Sequence, residues 1–409
     1  MSAKPTTNNL DFIILTSSRW DNQYSSSILS IAKEISKSHR VFLIENPFTW
    51  KDYIFKRRTK SISRRKEALL KGKKNYYTLT EDKLIAVTPR LMLPINWLPR
   101  GLLYNTVSRV NEFIFSKCIQ GLLKDYTITN FVYVNSFLPF YLKKQPSYFK
   151  PKLFVYQTID DIDHSKYFSK HGGYLENEMI RKADITLATS TRLYDLKKEI
   201  AKTIHIIPNA ADISLFKTSL EDQLAPPPEL KEEKRKVIIY VGNTIAERTD
   251  FNILKTLLTD HPDKLLLMVG PYDEIAVNKS GILAFPNLRL LSAQPMQQIP
   301  AYLQYAHCAI IPFLSNTLTE SIYPLKVNEY LAAGKPVVTT PFSEDIVSFK
   351  NIYVADNPKE FSKLIGQAIE EDSREKGILR LAEVKHNSWK GRAERFLEIV
   401  YQAYDQKAS

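Results

Sequence analysis

The sequence predicts an α/β protein built from two doubly wound parallel-sheet domains. Three features predict it. Strand-length apolar runs alternate with helical patterns along most of the chain, the alternation stops once at a proline-rich break over 220–236, and it then resumes in the same rhythm. The length of 409 residues suits two large or three ordinary domains and excludes a single small module.

In the first layer, strands are expected near 12–16, 41–45, 84–87, 131–134, 153–157, 185–188 and 205–207, with helices between them. The clearest helix is 102–123, where Leu103, Val107, Val110, Ile114, Cys118 and Leu122 keep a 3.6-type spacing. The break at 220–236, with three consecutive prolines and then a charged run, carries neither pattern and reads as a linker between domains at 1–219 and 237–387. The second layer has strands near 237–241, 265–269, 288–291, 309–313 and 336–340, and helices near 250–258, 296–305, 325–333 and 359–370. A last amphipathic helix, 388–405, follows the completed second sheet with Phe396, Ile399, Val400 and Ala403 on one face. It needs a surface to pack on, and the N-terminal domain is the expected one. Folds of this kind bind ligands beyond the carboxyl ends of their strands, so a ligand is expected in the cleft across both domains.

Composition excludes several classes. With 44% apolar and 25% charged residues the chain is neither disordered nor fibrous. Its two cysteines, Cys118 and Cys308, form no CxxC pair, no zinc spacing and no disulfide framework, which suits a reducing compartment. Residues 1–9 show no leader pattern, and no apolar run approaches the ~20 residues of a membrane span. A cytoplasmic location is expected.

The net charge of +13 is uneven. Between Lys51 and Lys74, eleven basic residues stand against Asp52 and Glu67, a local charge of +9 interleaved with Tyr53, Ile54, Phe55, Leu69 and Leu70. This segment, with Lys56, Arg57, Arg58, Arg64, Arg65 and Lys66 at its centre, suits the anionic inner face of the cell membrane or a phosphorylated lipid carrier, where each basic residue contributes about 1 kcal/mol. A solvated basic loop is the alternative. Nucleic acid is not expected as a partner, because no nucleic-acid-binding signature accompanies the charge.

The most informative stretch runs from Glu320 to Thr340. Pro324 fits the first helical position, Gly334 fits the residue past the end, and Pro336 blocks continuation before a strand. A three-turn helix starting at Tyr323 or Pro324 follows. Its N-terminus is a ready anion site, suited to a diphosphate. Lys326 adds a cation in the first turn, and Glu329 offers an acceptor for ribose hydroxyls. The alternative is a surface helix carrying an ordinary Lys326/Glu329 ion pair, worth only ~0.2–0.5 kcal/mol.

Pro324-Leu-Lys-Val-Asn-Glu-Tyr-Leu-Ala-Ala-Gly-Lys-Pro-Val-Val338 closely resembles the nucleotide-diphosphate helix of GT-B glycosyltransferases of the family 4-like group. Within that group it looks most like bacterial cell-surface polysaccharide enzymes, including the teichuronic acid type. Further segments resemble the family in register. They are the loop at 241–250, the Ile207-Pro-Asn-Ala-Ala-Asp segment, Tyr156-Gln-Thr-Ile-Asp-Asp161, 183–190, and Asn387-Ser-Trp389. The match covers roughly 156–404. The resemblance implies GT-B architecture, two Rossmann-like doubly wound domains facing a central cleft, with the acceptor in the first and a nucleotide sugar in the second.

Carried over position by position, it gives Glu329 to the ribose, the backbone of Tyr323, Pro324 and Leu325 to the diphosphate, Gly242 and Asn243 to the glycine loop, and Arg248 to phosphate. An Arg fork suits that last role through charge-assisted bonds. The family's first glutamate falls at Ser321, with Glu320 one residue before it. Either Glu320 serves, or Ser321 and backbone groups hold the sugar hydroxyls.

Asp160 and Asp161, with Asp163 and His164, follow a strand and are candidates for a base toward the acceptor hydroxyl or for stabilising a cationic sugar. Helix capping is their alternative role. Arg19 and Trp20, after the first strand, are candidates for acceptor or phosphate contacts. No metal cluster is visible. The resemblance implies that no metal or cofactor is needed, the helix end with Arg248 and Lys326 neutralising a UDP- or GDP-type leaving group. It also implies retention of configuration, in which the diphosphate itself takes the acceptor's proton. The expected activity is therefore sugar transfer to a lipid-linked or other glycan acceptor, made by a peripheral membrane protein. A sugar-nucleotide epimerase, a phosphorylase, or a non-catalytic nucleotide- or membrane-binding module are the alternatives.

Overall fold

The computed structural model describes residues 10–21, 26–72, 76–164, 168, 170–221 and 223–408; residues 1–9, Lys73, Lys74 and Asp222 from the segments above lie outside them. The chain forms two compact units, Met1–Ile207 with Arg392–Ser409, and Pro208–Gly391.

The first unit holds strands β1 (Asp11–Thr16), β2 (Val41–Ile44), β3 (Tyr77–Glu81), β4 (Leu84–Val87), β5 (Phe131–Ser136), β6 (Leu153–Thr158), β7 (Ile185–Ala188) and β8 (Ile204–Ile206) in one sheet. Their order is β3-β4-β2-β1-β5-β6-β7-β8. All neighbours are parallel except β3 and β4, with Ile13 level with Phe42 on one side of β1 and with Tyr133 on the other. Strands β1, β2, β5, β6 and β7 are buried along their whole length, as a sheet covered on both faces requires. Those continuous apolar runs are why they were legible. β3 was not foreseen: it is an antiparallel edge with Leu79 exposed, joined to β4 through Asp82 at φ 41°.

The helix Leu102–Asp125 departs from the expected stripe. Cys118 and Leu122 are buried, but Leu103 and Val110 face solvent, and the inward face at that end is Tyr104, Ser108 and Asn111. Asn111 decides the rotation, because its side-chain amide bonds both the N–H (2.8 Å) and the C=O (2.9 Å) of Leu93. A buried amide so satisfied outweighs the exposure of two apolar side chains.

The second unit holds β9 (Lys236–Val241), β10 (Lys264–Val269), β11 (Leu288–Leu291), β12 (Cys308–Ile311), β13 (Val337–Thr339) and β14 (Tyr353–Val354), in the order β11-β10-β9-β12-β13-β14. Every neighbouring pair is parallel. β14, two residues long, was not foreseen. The boundary also differs from the expected 219/220. Ile213, Phe216 and Leu230 sit in the second unit's core, and Leu224 donates its N–H to Gln304 at 2.9 Å. The stretch read as a linker is therefore packed surface of the second unit, since its scattered apolar side chains find a groove that a linker would lack.

The helix Trp389–Ala408 belongs to the first unit from Arg392 onward. There Phe396 lies 6.0 Å from Phe12, Tyr401 hydrogen-bonds His39 at 2.9 Å, and Lys407 pairs with Asp184 at 2.9 Å.

Candidate functional site

In the second sheet the strand order reverses between β9 and β12, and doubly wound sheets place ligands at such a switch point. The loops leaving these two strands are joined. Asp250 donates its N–H to Pro312 at 2.9 Å, Leu314 to Arg248 at 2.8 Å, and the Asn316 amide to the Glu247 carbonyl at 3.0 Å. Within the first loop, the carbonyl of Asn243 accepts from Arg248 Nη2 (2.9 Å) and from the Tyr240 hydroxyl (3.2 Å). The Arg248 guanidinium lies 5.4 Å from the Phe313 ring, and its buried Nε has no partner among the described residues. Arg248 is thus held by one edge, with donors left over.

The helix after the second loop is Leu325–Ala332, two turns rather than the expected three, ended by Gly334 in the left-handed region at φ 72°. Its N-cap is Pro324, with no side chain capping the first N–H groups. This leaves its positive end open to an anion. Two contacts fix its position. The Tyr330 hydroxyl accepts the N–H of Val241 at 2.8 Å, and the Asn209 amide donates to the Tyr323 carbonyl at 3.4 Å. Further along, Asn387 donates to Asn328 at 2.9 Å. Tyr330, Asn209 and Tyr240 were not among the expected site residues. Tyr330 is one residue beyond Glu329, but nothing in a one-dimensional pattern says that its hydroxyl reaches the end of β9.

Lys326 and Glu329 do not form the ordinary surface pair. Neither side chain makes an ion pair or hydrogen bond with the other or with any other described residue. Glu329 is 7% exposed, and burial raises its carboxyl from the ordinary 4.5 to about 7, with the Lys326 charge opposing. Burial also lowers Lys326, and Arg248 pushes the same way while Glu329 opposes. The Lys326 side chain crosses Gly242 so closely that a Cβ there would run into its Cε. Gly242, Asn243, Arg248, Lys326 and Glu329, more than eighty positions apart at the extremes, are therefore brought together at one switch point. Two cations, an open helix end and a buried acceptor match a diphosphate attached to a ribose. Of the two residues at the family's first glutamate, Ser321 is buried and Glu320 is exposed at the end of the short helix Thr317–Glu320.

The first unit holds the other expected residues. Asp160 is exposed on the turn after β6, and Asp161 accepts the N–H of Asp163 at 3.2 Å at the start of a short 3-10 turn. That bond is a capping contact. No group of three or more His, Cys, Asp or Glu side chains among the described residues is placed to hold a metal ion.

Arg65 does not face outward with its basic neighbours. It is 1% exposed and bonds Glu45 at 2.7 and 3.0 Å and Asp21 at 2.7 and 2.8 Å. Glu45 also accepts from Thr88 (2.7 Å) and from the N–H of Trp20 (3.2 Å). A guanidinium fork between two carboxylates is satisfied only inside the protein, which corrects its place in the basic segment. Arg64 leans on Asp21 at 3.4 Å, while Lys56, Arg57, Arg58 and Lys66 are exposed. Trp20 lies under Arg64 and Arg65, at 5.3 and 5.5 Å.

Arg19 points elsewhere, flat on Phe48 at 3.7 Å, in the wall of a cavity of about 600 Å³ at the carboxyl ends of β2 and β5. The cavity's far wall is the loop after β5, in which Phe137 (φ 56°) and Leu142 (φ 55°) take left-handed backbone. Such conformations cost ~1–3 kcal/mol each. Buried polar ties hold them: Asn135 bonds Leu138 through both N–H and C=O, and Glu112 accepts the N–H of Leu142 at 3.0 Å. Among the described residues no helix is long and apolar enough to cross a membrane.

Residues 235–371 match the family described as Glycosyl transferases group 1. A stretch of 170 residues, 40% of this chain, is 26% identical to the teichuronic acid biosynthesis glycosyltransferase TuaH of Bacillus subtilis (strain 168). That stretch spans 42% of TuaH, less than half its length. Among solved structures, a sucrose-phosphate synthase from Thermosynechococcus elongatus superposes with a TM-score of 0.68 at 10% identity, over 97% of this chain and 99% of that one. A structure described as trehalose-6-phosphate from E. coli bound with UDP-2-fluoro glucose gives 0.67 at 11% identity, over 96% and 99%. The chain has the GT-B fold, and its residues 235–371 are similar to the glycosyl transferases group 1 family.

Proposed function

We propose that this protein is a glycosyltransferase that takes a sugar from a UDP- or GDP-type nucleotide sugar held by the Pro208–Gly391 unit. The acceptor is a hydroxyl of a glycan, lipid-linked, received by the first unit, and the product serves a bacterial surface polysaccharide. The observation that carries this reading is the buried, unpaired Glu329 beside Lys326, Arg248 and the open end of the helix Leu325–Ala332. A buried carboxylate and a lysine left without side-chain partners, beside an arginine with one edge unspent, are costly unless a ligand completes them.

In the proposed reaction Glu329, ionised, accepts from the ribose hydroxyls. The first-turn N–H groups, Lys326 and Arg248 take the charge that develops on the departing diphosphate, so no metal is required for that step. The acceptor oxygen bonds to the anomeric carbon as the carbon–oxygen bond to the diphosphate breaks. Attack comes on the face the diphosphate leaves, and a diphosphate oxygen takes the acceptor's proton, which gives retention without a covalent intermediate. Ser321, buried, and the backbone after it hold the sugar in place of the family's first carboxylate, since Glu320 ends its helix in solvent. Asp160 assists the acceptor hydroxyl as the exposed member of its pair, while Asp161 shapes the turn. The exposed Lys56, Arg57, Arg58 and Lys66 hold the first unit at the inner face of the membrane.

Titration calorimetry with UDP, GDP, CDP and ADP tests the donor half. One nucleoside diphosphate is expected to bind and to lose at least about tenfold in affinity in Glu329→Ala. Absence of binding by all four would move the reading to a non-catalytic module.

A further inference from the structure

The cavity in the first unit is not explained by the donor chemistry. We propose that it receives the phosphate-bearing head of a membrane amphiphile, and that two elements adjoining its lining, the helix Trp50–Lys56 and the segment from Trp97 to Leu103, rest on an anionic bilayer. This deepens, and rests on, the reading of the first unit as the acceptor half.

The rim carries the argument. Phe55, on the helix Trp50–Lys56, is 77% exposed, and Trp97 is 69% exposed; both line the cavity. Neither is isolated. Ile54 is exposed beside Phe55, and five residues after Trp97 the helix Leu102–Asp125 begins with Leu102 and Leu103 in solvent, Leu102 at 88%. The cause is the Asn111 contact described above, which turns this end of the helix so that its leucines point outward. Exposed apolar side chains on two separate elements beside one opening are what a monomeric surface normally avoids.

Charge selects the occupant. Lys51 and Lys56 line the mouth, Arg57 and Arg58 follow on the first element, and Arg100 and Arg109 flank the leucines on the second. The acid in the lining, Asp52, is already engaged by the N–H and hydroxyl of Thr49 at 3.0 and 2.7 Å and by Lys56 at 3.6 Å. Aromatic and aliphatic tips among lysines and arginines are the composition of an interfacial surface on anionic lipid. A protein partner of matching acidity would not require the leucines and aromatic rings to extend past the cations.

Deeper in the wall stands Arg19. Its guanidinium is stacked on Phe48, its Nε is buried with no partner among the described residues, and burial lowers it from its usual value. An Arg oriented by stacking with donors unspent is suited to a phosphate oxygen. Ile95 and Phe140, which also line the cavity, offer apolar walls to the first carbons of a chain. The strained loop after β5, which brings Phe140 there, is held in place by Asn135 and Glu112. A cation with a donor to spare and apolar walls in one cavity suit the phosphate and the first carbons of a lipid phosphate.

Two measurements on the full chain test this. In titration calorimetry, octyl phosphate below its micellar concentration is expected to bind, and R19Q to weaken it by about tenfold or more. K56Q, at an exposed position that cannot unfold the protein, is expected to weaken it more modestly. Inorganic phosphate binding as well as octyl phosphate would show a free-anion site and overturn the amphiphile; octyl glucoside binding as well would overturn the phosphate. In flotation with phosphatidylglycerol/phosphatidylcholine vesicles, the variants I54S/F55S and L102S/L103S are each expected to lower the bound fraction severalfold. Phosphatidylcholine vesicles alone are expected to bind little. Parent-like flotation of either double variant would overturn the two-element surface. Nucleotide titration in parallel separates the failures. Loss of the nucleotide response alone counts against the donor reading, and loss of the octyl phosphate and vesicle responses alone counts against this one.

Discussion

Replacing Glu329 by Gln should stabilise the protein and disarm it. Burial raises this carboxyl from 4.5 to about 7, so between those pH values the folded protein keeps a proton that the unfolded chain has released. Stability therefore falls as pH rises through that window, and the loss is complete above about pH 7. At ~1.4 kcal/mol per pKa unit, the ionised carboxylate costs the folded state about 3 kcal/mol at pH 8 and under ~1 kcal/mol at pH 5. A glutamine keeps the shape and never ionises. The 208–391 unit of E329Q should thus be about 3 kcal/mol more stable at pH 8, a melting shift of about 6–12 °C for a unit of this size, and close to parent at pH 5. Thermal and urea unfolding at the two pH values, followed by circular dichroism, measure it. The same variant should bind nucleoside diphosphate more weakly, and the parent should bind it better as pH rises through 7. A destabilised E329Q at pH 8, or an equal gain at both pH values, would refute the assignment of a buried, unpaired charge.

Other consequences follow from single contacts. Gly242→Ala puts a methyl into Lys326 Cε at a backbone φ of 157° that favours glycine, so urea unfolding should show a loss of ~1–3 kcal/mol and diphosphate affinity should drop about tenfold or more by calorimetry. Tyr330→Phe leaves the N–H of Val241 without its acceptor, and urea unfolding should show a loss of ~1–3 kcal/mol. Arg65→Ala strands the Asp21 and Glu45 carboxylates and should cost the first unit ~3–5 kcal/mol, whereas Lys66→Ala next to it should fall within ~0.5 kcal/mol of parent. Equal effects of those last two on unfolding would contradict the buried fork.

The buried strands and the helix Leu325–Ala332 were legible in the sequence because their signals are local. A parallel strand covered on both faces is a continuous apolar run, and Pro324 and Gly334 mark where a helix can start and must stop. β3 escaped because an exposed edge needs no such run, and the 220–236 stretch was misread because prolines say that a segment is irregular, not whether it is packed.

Sequence by itself therefore determined the two sheets and the helix that follows β12, and singled out Lys326, Glu329 and Arg248 as candidates for a nucleoside diphosphate site. Tertiary structure alone decided which charges are spent. Arg65 is consumed by Glu45 and Asp21, Arg19 retains an unpartnered donor, and Glu329 and Lys326 stay unpaired although three positions apart on one helix. It also decided that Asn111 turns Leu102 and Leu103 toward solvent. The physical reason is common to all of these: backbone propensity and apolar period act between neighbours in the chain, whereas the protonation, pairing and exposure of a side chain depend on groups that only folding brings near.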